Sequence, residues 1–376
     1  LAIVLTIFLQ KKPSLLLCCF IGLLLGVMFI TNTWDFPIYF LVLGTVLLWL
    51  NCQKHGFTIK AVYETALFSI RSLLFAILFS LPFHLHFQNI AKGIDFVDFR
   101  SPVWMLFFLW GAPLVFSISF FIFIYKRKKQ RVDSFVLILL LVSWFLILVP
   151  EVIYLKDIYV HTYQRANTMF KLTYQSFVLF ALSSGYIIIR ILTGLKKRLT
   201  KILLAAGYWL VAICLLSYSC FAIKSYYGLK RYQGLDGIKY LSALYPDDYQ
   251  ALLWLRKEIS DQPVILEAVG DSYTDFARVS ANTGLPTVVG WPVHEWLWRG
   301  SYDEPGKRRE EVRRIYESQN IEEIKELLKK HEVEYVFVGA LEKKQYQALN
   351  EEKFKNLGKV VFQQGETRIY KLEISR

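Results

Sequence analysis

Residues Lys126–Asp157 read KRKKQRVDSFVLILLLVSWFLILVPEVIYLKD. A strongly basic run, Lys126-Arg127-Lys128-Lys129-Gln130-Arg131, gives way to an uncharged apolar segment near 134–150. A mixed group of Glu151, Tyr154, Lys156 and Asp157 follows. An apolar run of this kind predicts a membrane-crossing helix, because hydrocarbon offers no partner to an unpaired backbone N–H or C=O. The asymmetry of its ends gives it a direction, since basic loops stay in the cytoplasm.

The same pattern repeats on both sides. Apolar runs near 14–31, 36–51, 62–83, 103–125, 168–190 and 202–223 predict further spans, seven in all. The run at 36–51 is short and calls for tilt or shielding by neighbours. Leu1–Leu9 is too short to cross and predicts the tail of a helix that begins before Leu1, so the chain reads as a fragment. Alternate loops are basic: Lys11 and Lys12, then Lys54, His55 and Lys60, then the run from Lys126, then Lys196, Lys197, Arg198 and Lys201. The intervening loops, Thr31–Asp35, His84–Ser101 and Glu151–Asn167, are richer in acidic, aromatic and amide residues. All four basic loops fit one orientation. It places the protein in the cell membrane with Lys224–Arg376 on the extracytoplasmic side.

Composition agrees. The chain is 55% hydrophobic, above the roughly 45–50% of soluble domains, and the excess lies before about residue 223. The net charge of +13 sits largely in these short loops, which argues against a nucleic-acid partner. Cys18, Cys19, Cys52, Cys214 and Cys220 all lie in or beside apolar runs, so the tail has neither a disulfide framework nor a cysteine metal site.

The tail, 224–376, reads as a compact α/β unit. Pro246-Asp247-Asp248 opens a helix to about Ile259, with proline and acids in the favoured first turn. Val264–Val269 and Val333–Val338 are strands. Helices are expected near Lys307–Ser318, Ile321–His331 and Glu342–Asn350, and Lys359–Gln363 with Arg368–Glu373 form a terminal hairpin. Gly270–Pro305 reads as one long loop, a length uncommon unless functional. The fold class is therefore an α-helical polytopic bundle, 1–223, followed by a small extracytoplasmic α/β domain, 224–376.

No phosphate loop, GxGxxG, HExxH or GxSxG motif is present. Candidate chemistry falls on polar clusters at the outer face. In Thr31-Asn32-Thr33-Trp34-Asp35-Phe36-Pro37, Asp35 or Thr33 caps the next helix and Trp34 anchors the interface; otherwise Asp35 is a working carboxylate. Glu151 and Asp157 precede Arg165-Ala166-Asn167-Thr168-Met169-Phe170-Lys171. Arg165 and Lys171 at a helix start oppose its dipole, which suits a phosphate there; the alternatives are snorkelling or pairing with Glu151 or Asp157. In the tail, Trp291, His294, Glu295, Trp296, Trp298 and Arg299 suit a carbohydrate or headgroup surface, or else a loop packed on the interface. Asp95 and Asp98 could take a divalent cation, the one cofactor considered, although two carboxylates fall short of the usual ligand count and a solvated loop is the plainer reading. His84-x-His86 reads as interfacial.

Taken in order, Asn32-Thr-Trp-Asp-Phe-Pro37, Glu151–Asp157, Arg165–Lys171, Thr283-Gly-Leu-Pro286, Gly290-Trp291 and His294–Arg299 resemble the DUF2298, or YYY, family of multi-pass membrane proteins. The resemblance implies kinship with the GT-C superfamily, whose members transfer sugars from polyprenyl-phosphate donors at the extracytoplasmic face. It also implies further N-terminal spans, a Tyr-Tyr-Tyr segment and an acidic first outer loop, none of which this sequence contains. The expectation is a GT-C-like glycosyltransferase that meets membrane lipid, a polyprenyl-phosphate sugar and an acceptor of unknown identity. Arg165, Lys171 and Asn167 would hold phosphate, with Asn32 and Trp34 nearby. Asp35, Glu151 and Asp157 are candidates for base, orienter or metal ligand, and the His294–Arg299 segment would close over the sugar. A transporter or flippase would need polar groups in mid-span, where Arg71 is the main exception and reads as nearer the cytoplasmic end. A non-catalytic assembly protein would tolerate loss of the Asp35 charge.

Overall fold

The computed structural model describes residues 1–10, 14–88, 91, 93–125, 127–157, 163–228 and 234–373. Lys11, Lys12 and Lys126, counted among the basic loops, lie outside them. The chain divides into two compact units, Leu1–His86 with Ile90–Leu229, and Phe87–Asn89 with Lys230–Arg376.

The first unit is helical. α1 (Ala2–Gln10), α2 (Leu15–Thr31), α3 (Asp35–His55), α4 (Ile59–His84), α5 (Val103–Tyr125), α6 (Arg131–Leu148), α7 (Ala166–Gly194) and α8 (Arg198–Tyr227) follow the apolar runs closely. Helices α3 to α8 are each long and apolar enough to cross a membrane. The short element is not the one expected. α3 continues through Asn51–His55 to Gly56, whose φ of 71° ends it, and has 21 residues. α2 has 17, or about 25 Å at 1.5 Å per residue. Two short strands, β1 (Ile94–Phe96) and β2 (Ile153–Leu155), pair antiparallel between the spans.

Small residues set the tightest packing. Gly22 and Gly26 lie on one face of α2 against Ser72 and Ala76 of α4. A Cβ on Gly22 would fall 2.3 Å from Phe75 Cβ and 2.9 Å from Ser72 O, and one on Gly26 would fall 2.9 Å from Ala76 O. Without a hydrophobic drive between helices in lipid, such close backbone approach is what holds a pair together. α6 is the most buried span and joins two apolar clusters, one with α1–α3 and one with α5, α7 and α8. Arg131, its first residue, donates to the last carbonyls of α1 at Phe8 and Leu9. α8 buries only Tyr208.

The second unit is a four-stranded sheet with helices on both faces. It comprises α9 (Leu241–Leu244), α10 (Pro246–Glu258), β3 (Val264–Leu266), α11 (Arg278–Thr283), α12 (Pro292–Arg299), α13 (Asp303–Glu317), α14 (Ile321–Lys330), β4 (Val333–Val338), α15 (Ala340–Gln345), α16 (Glu352–Leu357), β5 (Gly358–Gln364) and β6 (Thr367–Leu372). The strand order is β3-β4-β6-β5, with β3 and β4 parallel and the other pairs antiparallel. Alternation along the strands assigns the faces: Leu266, Val336, Val338 and Tyr370 pack with α13 and α14, while Ile265, Tyr335, Phe337 and Ile369 pack with α9 and α10. Two expectations are corrected. Gly270–Pro305 is not one loop, since α11, α12 and the start of α13 lie within it, and the helix expected near Glu342–Asn350 is the shorter α15, which ends at Gln345, with α16 beginning beyond it at Glu352. α11, α12, α15 and α16 are each eight residues or fewer, too short to print a helical period.

Arg278, its side chain wholly buried, ties this unit together. Its Nε and Nη2 donate to Asp248 Oδ2 at 2.9 and 2.6 Å, and Nη2 and Nη1 reach the Glu342 carboxylate at 2.8 and 3.3 Å. Asp248 also accepts from Thr367 Oγ1 at 2.6 Å, and Glu342 accepts the backbone N–H groups of Ala268 and Gly339, each at 2.9 Å. Burial works against the guanidinium charge, but Glu342 and Asp248 more than offset it and raise its pKa. Beside them, burial pushes the Glu267 carboxyl above its ordinary range, although it accepts from the N–H groups of Val279 and Ser280.

Gly22→Ile should lower stability by about 1–3 kcal/mol through overpacking against Phe75, read as thermal unfolding of the purified protein in detergent. Gly44→Ala, with nothing within 4 Å, should not; equal behaviour of the two variants would contradict the α2–α4 account. Arg278→Met strands two buried carboxylates and should cost about 3–5 kcal/mol, measured by denaturant unfolding followed by tryptophan fluorescence. A loss near zero would show the network to be dispensable.

Candidate functional site

Asp35 begins α3, but it does not cap the helix. The preceding Trp34 makes no side-chain cap, and Thr33 Oγ1 turns back to donate to Phe29 O at 3.3 Å. Asp35 faces α7 instead. Its Oδ1 accepts from Gln175 Nε2 at 2.7 Å, and Gln175 Oε1 accepts from Tyr39 OH at 2.9 Å. Asp35 and Tyr39 are four residues apart, so one face of α3 presents both. Oδ2 of Asp35 has no hydrogen bond among the described residues.

The geometry of α7 sets the depth of this group. Gln175 lies about 13 Å along the helix from Ala166, so Asp35 is recessed below the start of α7. Lys171 and Asn167, four and eight residues before Gln175, share its helix face. The Lys171 ammonium lies 5.8 Å from the Phe170 ring centroid and forms no ion pair among the described residues. Trp34 packs into the apolar cluster around α3, while Asn32 is half-buried at the end of α2. The arrangement is a carboxylate steered by an amide and a phenol, with a cation on the helix face beyond it.

The second cluster is neutralised internally. Buried Glu151 pairs with Arg165 at 2.6 Å and accepts from Ser101 N at 2.7 Å and Ser101 Oγ at 2.9 Å. Arg165 spends its other donors on Pro150 O and Ser101 Oγ, at 3.0 and 2.9 Å. The expected phosphate role of Arg165 gives way to pairing with Glu151, which fastens the segment before α5 to the segment before α7. Thr168 Oγ1 accepts from Leu155 N at 2.9 Å and anchors β2 to α7. Asp157 lies two residues beyond the end of β2.

The Asp95 and Asp98 pair does not suit a divalent cation. Lys156 forms a 2.7 Å ion pair with Asp95 and, with the Phe96 N–H, holds its carboxyl below the usual range. Asp98 accepts from Gln164 Nε2 at 2.6 Å. Among the described residues no group of three His, Cys, Asp or Glu side chains could hold a metal ion. His84 turns to Ser80 Oγ at 2.9 Å and packs on Phe29.

In the second unit, Trp291 and His294 fasten α12. Trp291 Nε1 donates to Phe276 O at 2.7 Å, and its ring meets those of Tyr273 and His294 at 5.3 and 5.4 Å. Glu295 pairs with Arg299 at 2.6 Å, one turn on. Trp298 and Tyr273 are left exposed.

Sequence reasoning missed Gln175, Tyr39 and Ser101. Gln175 and Tyr39 do carry a signal, being polar side chains inside apolar runs. Ser101 carries none, because its partners lie far away in the chain.

No curated protein matches the chain. The model of a family described as uncharacterized membrane protein (DUF2298) matches residues 1–134 and 121–180, a range that includes Asn32, Asp35, Glu151, Arg165, Lys171 and Gln175. Multiple apolar spans and this match together make residues 1–180 a membrane region of the DUF2298 type.

Proposed function

We propose that the protein transfers a glycosyl group from a polyprenyl-phosphate donor at the extracytoplasmic face, with Asp35 as its working carboxylate. The observation that carries this reading is the recessed Asp35, held through Oδ1 by Gln175 and leaving Oδ2 to accept a proton. Glycosyl transfer needs a base to take the acceptor's proton and a cation to steady the departing phosphate. Lys171, on the same face of α7 as Gln175, supplies the cation, with Asn167 as a further donor. Tyr39 is a positioning residue that acts through Gln175. Arg165 and Glu151 position the segment before α7. The tail lies outside the cell in this reading, where exposed Trp298 and Tyr273 offer ring faces to a sugar. The apolar exterior of the spans keeps the lipid part of the donor in the bilayer.

Asp35→Asn should reduce transfer from a radiolabelled polyprenyl-phosphate sugar by about 100-fold or more in reconstituted vesicles. Lys171→Met should weaken donor binding roughly tenfold, a change of about 1.4 kcal/mol, with little effect on fold. Unaltered turnover in Asp35→Asn would remove Asp35 from the mechanism.

A further inference from the structure

Two loops of the first unit meet at one end of the bundle. α5 ends at Tyr125 and α7 at Gly194, and a Cβ on Gly194 would fall 2.3 Å from the Phe123 ring, so the last turns of the two helices touch. Arg190 of α7 lies over the same ring at 5.3 Å and Arg127 at 5.8 Å, and Arg190 Nη2 donates to Lys128 O at 3.4 Å. α8 begins at Arg198, directly after Lys197. The stretch before α6 and the stretch before α8 are therefore neighbours. Lys128 and Lys129 on the first, with Lys196, Lys197, Arg198 and Lys201 on the second, are all exposed. Their side chains form no ion pair or hydrogen bond among the described residues. From 127 to 135 and from 190 to 205 the sequence holds one carboxylate, Asp133, and it is taken by Arg190 and Tyr186.

Orientation in the membrane does not require such a surplus. The connection between α3 and α4 is basic too, but there Lys54 and His55 both pair with Glu64, at 3.2 and 3.0 Å. The cations at the start of α8 also stand among Leu199, Ile202 and Leu203, all exposed. The patch thus borders on hydrocarbon, a margin that a soluble anion or a nucleic acid has no use for. We infer that this end of the bundle is a binding surface for anionic phospholipid, a role separate from the site around Asp35. The headgroup phosphate lies between the Lys128–Lys129 and Lys196–Arg198 stretches, and the acyl chains run along Leu199, Ile202 and Leu203. Basic clusters just beyond a span attract an anionic leaflet, and basic pockets between helix ends take phosphate headgroups. Long lysine stems can cover apolar surface while the ammonium reaches the phosphate.

The test reconstitutes the whole chain in phosphatidylcholine bilayers that carry either spin-labelled phosphatidylglycerol or spin-labelled phosphatidylcholine. The motionally restricted fraction of each label is read by electron paramagnetic resonance. Phosphatidylglycerol should be favoured about fivefold at low salt, and the preference should shrink in about 1 M salt, where charges are screened within about 3 Å. Lys128→Gln, Lys129→Gln, Lys196→Gln and Lys197→Gln together should erase it, and either pair alone should weaken it. Lys54→Gln with Lys60→Gln should leave it intact. The four side chains are exposed and unpaired among the described residues, so thermal unfolding in detergent should be unchanged. Equal restriction of the two labels, or a preference that survives the four substitutions, would overturn the inference. So would release of the labelled phosphatidylglycerol by millimolar inorganic phosphate at fixed ionic strength, which would mark a site for the free anion.

Discussion

A charged group buried among apolar helices needs a partner, and in the first unit most such groups find theirs on a neighbouring helix. Asp133, wholly buried at the start of α6, shows how this constraint is met. It accepts from Tyr186 OH at 2.8 Å and Arg190 Nε at 3.0 Å, both on α7, and from the Gln130 N–H at 2.7 Å. One carboxylate thus caps α6 and fixes its register against α7. Ser176 Oγ, donating to Ser143 O at 2.9 Å, joins the same two helices further along. α6 and α7 in turn carry the apolar clusters on which the other spans pack.

The same constraint separates structural polar groups from working ones. Glu151 and Arg165 cancel one another and leave little capacity for a ligand. The Asp133–Arg190 pair does likewise. Asp35 differs, because its partners are a neutral amide and, through it, a phenol, so its charge is oriented without being cancelled. Lys171, on the neighbouring helix face, carries a positive charge with no ion pair among the described residues. In the proposed function, a donor phosphate and an acceptor hydroxyl complete this half-satisfied set.

The spans were legible because hydropathy is a local property, summed over about 20 residues. Asp35 and Lys171 could be chosen for the same reason, as polar residues beside apolar runs. The partners were not legible. Gln175 lies 140 residues from Asp35 along the chain, and Glu342 lies 64 from Arg278. Nothing local marks Arg278 as the centre of the second unit, since it sits in a six-residue helix inside an apparent loop. The tight α2–α4 approach was readable in principle from Gly22-Leu23-Leu24-Leu25-Gly26, a spacing that brings small residues to one face. Its complement, Ser72 and Ala76, becomes visible once the helices are paired.

The account turns on which side of the membrane each helix end faces. The direct measurement is labelling with a membrane-impermeant maleimide, in whole cells and in inverted vesicles, of a cysteine-free chain carrying single cysteines. Thr33→Cys, Asp98→Cys and Lys329→Cys should react only in whole cells. Lys128→Cys and Lys197→Cys should react only in inverted vesicles. Labelling of Thr33→Cys or Lys329→Cys from the cytoplasmic side would contradict the orientation, and with it the placing of Asp35 at an extracytoplasmic site.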